Sequence, residues 1–221
     1  MAFKNVLCYG TINPDLMYFV DEVPIVGGDI RSKDYKIRAG GTAINCAENI
    51  KNWNIKTSIL GNSIGKDPLG EYIISYLKKS EIGFEDVILN EHLTPTCSIY
   101  IDKNGERTII SSGYESCEWN DLNNLENYDS LIIDRYSIKY IHENLKKNNL
   151  DNIFITQAGY QEKIDYKLDF LVVSKDEIDA MRRYVPSWSK NSTLIPFKDE
   201  EGNLSYVDFS HLNAYDTLTR P

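Results

Sequence analysis

Two short runs of the sequence combine glycines with side chains that can hydrogen-bond to hydroxyl groups. Residues 10–15 (Gly-Thr-Ile-Asn-Pro-Asp) end in the carboxylate of Asp15, and residues 40–45 (Gly-Gly-Thr-Ala-Ile-Asn) end in the amide of Asn45. Gly40 and Gly41 would let the backbone approach a ligand closely, and a following helix would direct free N–H groups at that ligand. The two runs together are typical of a site for a hydroxyl-bearing ligand such as a sugar.

Both runs also have structural interpretations, which the residues alone leave open. Asp15 is equally suited to capping a helix or a turn, and the glycine pair is equally suited to a tight strand-to-helix turn without a ligand. Residues 40–45 do not form a phosphate-binding P-loop, because the run lacks the Lys-Ser/Thr ending of that motif.

Apolar patterns place both runs at the ends of strands. Residues 4–10 are typical of a strand entering a turn, so Asp15 would follow its carboxyl end, where open α/β sheets bind ligands. After the second run, helical spacing relates Ile44, Ala47, Ile50 and Trp53. From Lys56 onward strand and helix patterns alternate, which predicts an α/β fold with a doubly wound, mostly parallel sheet.

Two segments do not follow this alternation. Strand patterns at about residues 12–38 and 94–111 have no helix between their strands, and residues 102–105 (Asp-Lys-Asn-Gly) predict a hairpin turn in the second segment. We therefore expect a small β-sheet subdomain beside the main sheet, within a single domain over residues 1–221.

Composition excludes several functional classes. The 221 residues are 42% hydrophobic with a net charge of −9, which argues against disorder and against a nucleic-acid partner with its usual basic surface. No apolar run is long enough for a membrane helix, and the N-terminus does not resemble a signal peptide, so a soluble cytoplasmic protein without a membrane partner is expected.

Cysteines and histidines do not predict a metal site. Cys8, Cys46, Cys97 and Cys117 lack C-x-x-C spacing, and the three histidines have no partner at ligand spacing. Reduced structural thiols are the expected state, with Cys8 buried in a strand and Cys46 in a helix.

The order of these motifs resembles the ribokinase, or pfkB, family of carbohydrate kinases. The resemblance extends from residue 4 to about residue 180, and the stretch from Gly40 to Gly70 is its most specific part. The matching pieces are Gly10-x-x-Asn13-x-Asp15, Pro24-x-x-Gly27, Gly40-Gly41-x-x-x-Asn45, Gly61-x-x-x-Gly65-x-Asp67-x-x-Gly70, Thr94-x-Thr96, Gly105-Glu106-Arg107-Thr108 and the run 172–177 (Val-Val-Ser-Lys-Asp-Glu).

The resemblance implies a ribokinase-like fold in which the non-alternating strands form a lid over a small-molecule sugar. Asp15, Gly41 and Asn45 would hold the sugar hydroxyls beside Gly40, while Gly27 and the lid strand near Thr96 would close over the sugar. Arg107 would reach toward the transferred phosphate, although it is equally explained as a surface charge of the hairpin. Edge-to-edge pairing of lid strands would give a homodimer.

ATP and Mg²⁺ are the cofactors that the resemblance implies. Ser174 and Glu177 stand where the family has an Asn-x-x-Glu motif, and Glu177 would order magnesium-bound water. Glu177 is also suited to the N-terminus of a helix, where its charge is favourable. Serine replaces the family's asparagine at Ser174.

The C-terminal part departs from the family pattern. The family carries Asp-Thr-x-Gly-Ala-Gly-Asp, which supplies an anion hole and the catalytic base, whereas Asp216-Thr217 is followed by Leu-Thr-Arg-Pro. We therefore expect a domain that is incomplete on its nucleotide side and a sugar kinase that is inactive over these residues. The alternatives are a non-catalytic relative that binds a sugar or nucleoside, and a nucleoside kinase of the same family.

Overall fold

The computed structural model describes residues 3–147, 150–159 and 166–173, together with the backbone of residues 196–198 and 204–206. The predicted strand patterns near residues 193–197 and 204–209 lie partly outside these ranges. Within them, β12 (Pro196–Lys198) and β13 (Leu204–Tyr206) form an antiparallel pair of their own. No helix in the described ranges is long and apolar enough to cross a membrane.

A five-stranded parallel sheet forms the centre of the molecule. Its strands are β1 (Asn5–Gly10), β4 (Lys56–Gly61), β9 (Ser130–Asp134), β10 (Phe154–Ala158) and β11 (Phe170–Val172). Their order in the sheet is β11-β10-β9-β1-β4, and every neighbouring pair is parallel. Residues 6–10 are all buried, as expected of a parallel strand covered on both faces. The predicted α/β fold is confirmed.

Three α-helices in the described part of the chain connect or flank these strands: α1 (Thr42–Lys51), α2 (Pro68–Ser80) and α3 (Ile138–Lys147). Each buries one apolar stripe against the core. In α1 the buried residues are Ala43, Ile44, Ala47 and Ile50, at the spacing that the sequence indicates. All four cysteines are free thiols; Cys8 is buried as expected, whereas Cys46 on α1 is only partly buried.

The non-alternating segments form a separate four-stranded sheet, which we call the lid. Its strands are β2 (Asn13–Phe19), β3 (Asp34–Gly40), β7 (Thr96–Ile101) and β8 (Arg107–Ser112), in the order β3-β2-β7-β8. The central pair β2–β7 is parallel and the outer pairs are antiparallel. The strands of the lid thus come from both predicted segments, although β3 begins at Asp34 rather than at residue 30.

The stretch from Ile64 to Gly70 is more regular than the glycine-rich loop that its sequence suggests. Ile64–Gly65 is a two-residue strand, β5, which pairs in parallel with β6 (Leu89–Asn90). Asp67 then caps α2, because its Oδ1 accepts hydrogen bonds from the backbone N–H groups of Leu69 (2.9 Å) and Gly70 (2.8 Å).

The order of the strands creates a switch point between β1 and β9. The chain leaves β1 for β4 on one side of it, whereas the later strands β9, β10 and β11 extend the sheet on the other side. Loops from neighbouring strands therefore diverge at the carboxyl ends of β1 and β9 and leave a crevice, which is where open α/β sheets bind ligands.

Candidate functional site

A cavity of about 440 Å³ lies at this crevice, between the carboxyl edge of the main sheet and the lid. Its walls come from the loop after β1, the start of α1, one face of β7 and β8, and the start of α3. A larger cavity of about 820 Å³ lies elsewhere and contains Asn5 and Lys56, the first residues of β1 and β4. That cavity is at the amino edge of the sheet, away from the switch point.

The pairing of the lid strands determines which of their side chains line the cavity. Asp15 on β2 pairs with Cys97 on β7, and Cys97 pairs with Ser111 on β8, so the three side chains form one row. Ile99 and its partner Ile109 form the next row. All five line the cavity, because alternate residues of a strand point to the same face of a sheet.

The glycine pair closes the turn between β3 and α1 by direct backbone contact. Gly41 adopts a φ of +86°, and a Cβ atom at this position would lie 2.2 Å from the backbone oxygen of Thr11. The Ala43 N–H donates to that same oxygen (3.1 Å), and the Thr42 N–H donates to the Thr11 hydroxyl (3.0 Å). Glycine is therefore required at position 41 to bring the first turn of α1, with Asn45 on it, against the loop after β1.

A buried carboxylate at the end of β9 connects the α3 side of the cavity to the loop after β1. Asp134, the last residue of β9, accepts hydrogen bonds from the Thr11 N–H (2.9 Å) and the Ser137 N–H (2.7 Å). The first contact holds the loop after β1, and the second holds the turn before α3. The residues that follow Asp134 are therefore placed at the same crevice as Asp15.

A chain of hydrogen bonds holds Asp15 in the cavity. The Tyr114 hydroxyl donates to Asn13 Oδ1 (2.7 Å), and Asn13 Nδ2 donates to Asp15 Oδ1 (2.7 Å). Burial raises the pKa of Asp15, against the opposing effects of the Asn13 hydrogen bond and of nearby Arg38 and Arg107. Burial also raises the pKa of Tyr114, so its hydroxyl remains protonated and able to donate.

The α3 side of the cavity is aromatic and cationic. Trp119 and Tyr140 stack with ring centroids 4.1 Å apart, and Lys139 Nζ lies 4.8 Å from the centroid of the Tyr140 ring. The Arg135 guanidinium lies 4.7 Å from the centroid of the Tyr136 ring, and Nη2 of Arg135 donates to the Tyr136 hydroxyl (2.6 Å).

Four of the residues singled out in the sequence are brought together by the structure. Asp15, Gly41, Asn45 and Arg107 all line the cavity. Gly40 does not line it but packs against Asp15, since a Cβ atom at Gly40 would lie 2.2 Å from Asp15 Oδ2.

The other predicted site residues lie elsewhere. Gly27 is in an exposed turn with a φ of +79° and does not line the cavity. Thr96 lies one residue before Cys97 on β7 and so faces the opposite side of the lid. Ser174 and Glu177 lie outside the described residues, within which no group of three or more His, Cys, Asp or Glu side chains is arranged to hold a metal ion.

Several lining residues were not identified from the sequence, and their signals differ. Arg135 and Lys139 follow the carboxyl end of a predicted strand. Open α/β sheets bind ligands beyond such strand ends, which is how Asp15 was identified, so the same reasoning could have identified these two residues. Tyr114 has no such signal, because it reaches Asn13 only once the lid folds back over the main sheet. Trp119 likewise joins the cavity from the long connection between β8 and β9, which contains only two short 3-10 helices and an isolated bridge to Asn62.

Comparison with known proteins identifies the family. The family model described as "pfkB family carbohydrate kinase" matches residues 4–185, most of the chain. This chain belongs to the pfkB family. Among curated proteins, the pfkB-family chain is 32% identical over 134 residues to the ribokinase of Dictyostelium discoideum. The matched segment covers 58% of this chain and 39% of that ribokinase. It thus spans about two fifths of the length of that relative.

Solved structures agree on the fold. The ribokinase of Thermotoga maritima superposes with a TM-score of 0.70 at 20% identity, over 94% of this pfkB-family chain and 76% of that one. The ribokinase of Arabidopsis thaliana, solved with ribose and ATP, gives a TM-score of 0.59 at 20% identity, over 81% of this chain and 62% of the other. At these identities the likeness establishes the ribokinase-like α/β fold with its lid.

Proposed function

We propose that this chain binds a sugar in the 440 Å³ cavity, as the sugar-binding part of a kinase that phosphorylates a sugar hydroxyl with ATP. The observation that carries the proposal is the convergence of Asp15, Gly41 and Asn45 on one cavity at the switch point, beneath the lid. The volume falls within the usual range for small-ligand pockets. Family membership supports the reaction class.

The residues of the cavity have the hydrogen-bonding capacity that a sugar requires. Asp15 as a carboxylate only accepts hydrogen bonds, so it would bind hydroxyl groups as donors. Asn45 both donates and accepts, so it can bind two hydroxyls of opposite orientation. Apolar Ile99 and Ile109 on the lid would cover the C–H face of the sugar and exclude water from it.

The start of α1 is suited to developing negative charge. Gly41 has no side chain to cap α1, and the N-terminal end of a helix carries partial positive charge, part of which is already met by the donation of the Thr42 and Ala43 N–H groups to Thr11. Arg107 reaches the same cavity from β8 and would add a full positive charge near the phosphate. These groups would bind and orient the phosphate, while the attacking hydroxyl is positioned by Asp15 and Asn45.

ATP and magnesium enter the proposal through the family; within the described residues no group of three or more His, Cys, Asp or Glu side chains is arranged to hold a metal ion. The 221 residues contain no Gly-Ala-Gly-Asp run, the family's segment for the anion hole and the base. We therefore expect the 221-residue chain to bind its sugar without transferring phosphate on its own.

Calorimetric titration with a sugar panel tests the proposal. A bound sugar should lose about tenfold or more in affinity in Asp15→Asn and in Asn45→Ala, because each loses hydrogen bonds to hydroxyls. Asn49→Ala, one turn further along α1 and outside the cavity, is the matched control and should bind as the wild type does. Equal affinities in all four proteins would contradict the proposed site, and phosphate transfer from ATP would contradict the expected inactivity.

A further inference from the structure

The turn between the lid strands β7 and β8 contains a dipeptide with a chemistry of its own. Asn104-Gly105 is the one place in the sequence where asparagine precedes glycine, and both residues are exposed. Asparagine is among the thermolabile residues of proteins. We propose that Asn104 is a site of spontaneous covalent modification, at which cyclisation onto the backbone nitrogen of Gly105 and hydrolysis replace the amide by a carboxylate. The inference concerns the lid itself and does not depend on the proposed function.

The reaction needs the two residues and water, and no other reactant. The Gly105 nitrogen loses its proton to hydroxide and attacks Cγ of Asn104. The new C–N bond closes a cyclic imide while the bond between Cγ and Nδ2 breaks, and Nδ2 takes up a proton from water and leaves as ammonia. Water then opens the imide at either of its carbonyl carbons. One opening gives aspartate, and the other gives isoaspartate, in which the main chain runs through the former side chain.

The structure leaves the attacking nitrogen accessible. A Cβ atom at Gly105 would have nothing within 4 Å apart from its chain neighbours, and glycine itself adds no side chain beside the nitrogen. The Gly105 N–H donates to the backbone oxygen of Asp102 (3.0 Å), so this hydrogen bond must open before the attack. It closes a hairpin whose second strand, β8, is exposed along its whole length. Local opening is expected where backbone hydrogen bonds are exposed in this way.

Asn62 shows how the fold protects a comparable dipeptide. It precedes the small residue Ser63 but is fully buried. Its Oδ1 accepts a hydrogen bond from the Ile12 N–H (2.7 Å), and its Nδ2 donates to the backbone oxygens of Ile12 (2.9 Å) and Ser63 (3.0 Å). The exposed amide of Asn104 donates from Nδ2 to Asp102 Oδ2 (3.1 Å). We therefore expect the native chain to react at Asn104 and not at Asn62.

Modification would disturb the turn that places β8. Asp102 organises this turn, because its Oδ1 accepts hydrogen bonds from the N–H groups of Asn104 (2.8 Å) and Glu106 (2.9 Å), while its Oδ2 accepts from Asn104 Nδ2. In both products a carboxylate replaces the donating amide, so repulsion between like charges replaces a hydrogen bond. Isoaspartate also lengthens the main chain between the two strands. Arg107 is the first residue of β8, so we expect modification to loosen this strand and to displace its cation.

Ageing of the 221-residue chain tests the modification. The native protein would be incubated at pH 6 and at pH 8, and peptide mapping by mass spectrometry would follow the conversion of amide to acid at Asn104 and Asn62. We expect conversion at Asn104, faster in proportion to the hydroxide concentration, and no conversion at Asn62 over the same period. The product should be a substrate for an isoaspartate-specific methyltransferase, because opening of the imide yields isoaspartate. Asn104→Gln keeps an amide but places it one carbon further from the main chain, so this matched control should not convert.

Three results of the ageing experiment would overturn the inference. The first is an unchanged Asn104 at pH 8. The second is an equal rate at pH 6 and pH 8, because attack by the Gly105 nitrogen requires loss of its proton. The third is aspartate without isoaspartate, which would indicate direct hydrolysis of the amide instead of cyclisation.

Hydrogen exchange tests the effect on the lid. Asn104→Asp reproduces one of the products without ageing, and its amides at residues 107–112 should exchange faster than those of the wild type and of Asn104→Gln. Residues 56–61 of the buried strand β4 should exchange alike in all three proteins. Aged wild-type protein should show the same increase in β8, in proportion to the fraction converted. Equal exchange of β8 in the three proteins would overturn the proposed effect on the lid.

Discussion

At the scale of one residue, Asp15 and Asp67 are two carboxylates whose surroundings shift their pKa values in opposite directions. The pKa of Asp15 is raised by burial, so its ionised form is less stable in the folded chain than in the unfolded chain. A carboxylate kept for stability would show the opposite shift, as Asp67 does. The unfavourable environment of Asp15 is thus consistent with a group retained for a ligand.

Replacement of Asp15 by asparagine should therefore stabilise the ligand-free chain at neutral pH while weakening sugar binding by about tenfold or more. Because the folded-state pKa is raised, the wild type loses stability as the pH rises from the unfolded-state value to the folded-state value, and Asp15→Asn should lack this loss. Thermal melts of both proteins between pH 3 and pH 8 measure the difference. A lower melting temperature for Asp15→Asn at pH 7 would contradict the prediction.

Tyr114 should act on the sugar through Asn13 and Asp15. Tyr114→Phe removes the hydroxyl that donates to Asn13 Oδ1, and we expect a loss of sugar affinity of about fivefold. In an Asp15→Asn background the same change should have almost no further effect, because the two residues act through one chain of hydrogen bonds. Calorimetry on this double-mutant cycle measures it, with Tyr72→Phe as the control outside the cavity; additive losses would show that Tyr114 acts independently.

At the scale of elements, α2 illustrates a motif that is structural. Asp67 accepts hydrogen bonds from Leu69, Gly70 and Thr94, and Thr94 lies two residues before the start of the lid strand β7. A Cβ atom at Gly70 would lie 1.9 Å from the backbone oxygen of Gly65. The Gly61–Gly70 part of the family pattern thus joins a helix, a short strand and the base of the lid, and neither Asp67 nor its partner Thr94 lines the cavity.

Asp67→Ala should lower the free energy of unfolding by about 1–2 kcal/mol, the usual cost of a lost helix cap, with an added contribution from the Thr94 contacts. The hydrogen bonds lower the pKa of Asp67, so its contribution is present above the unfolded-state pKa and disappears as the pH falls through the folded-state value. Urea unfolding at pH 7 and pH 3 measures both effects. Asp86→Ala, an exposed carboxylate, is the control, and an equal loss in the two variants would contradict the cap.

Sequence patterns were sufficient for the elements, and they singled out four of the residues that line the cavity, namely Asp15, Gly41, Asn45 and Arg107. Strand alternation predicted the main sheet, and the segments without helices predicted the lid, because both depend on local periodicity. Asp15, Gly41 and Asn45 stood out because each follows a strand end or precedes a helix. Tyr114 did not, since its contact with Asn13 spans 101 residues of sequence and depends on how the lid is placed.

At the scale of the whole molecule, the lid and the main sheet differ in how well they are packed. All six residues of β8 are exposed, whereas β1 is almost wholly buried. β8 is also an edge strand with β7 as its partner in the lid sheet. Local opening is expected where backbone hydrogen bonds are exposed and apolar contacts are few.

Sugar binding should therefore slow amide hydrogen exchange in the lid. We expect increased protection in residues 107–112 and unchanged protection in residues 56–61 of the buried strand β4, because the sugar would contact β8 and add buried surface there. Exchange measured by mass spectrometry with and without a bound sugar tests this. Asp15→Asn should show no sugar-dependent protection, and equal protection of β4 and β8 would indicate global stabilisation instead.

The close contacts at the base of the lid have a mechanical consequence. The chain enters and leaves the lid sheet twice, and each time the entering and leaving segments lie side by side. Thr11 lies against Gly41 at the first place and Pro95 against Gly113 at the second, close enough for their backbones to touch. If the lid rotates against the main sheet, a line through the two pairs is the expected axis. Arg107 lies six residues from Gly113 along an extended strand, so its lever arm is about 20 Å and a rotation of about 10° would displace it by about 3.5 Å. Small rotations about this axis would thus become large displacements of the Arg107 cation at the lid tip, whereas Asp15, on a shorter arm, would move less.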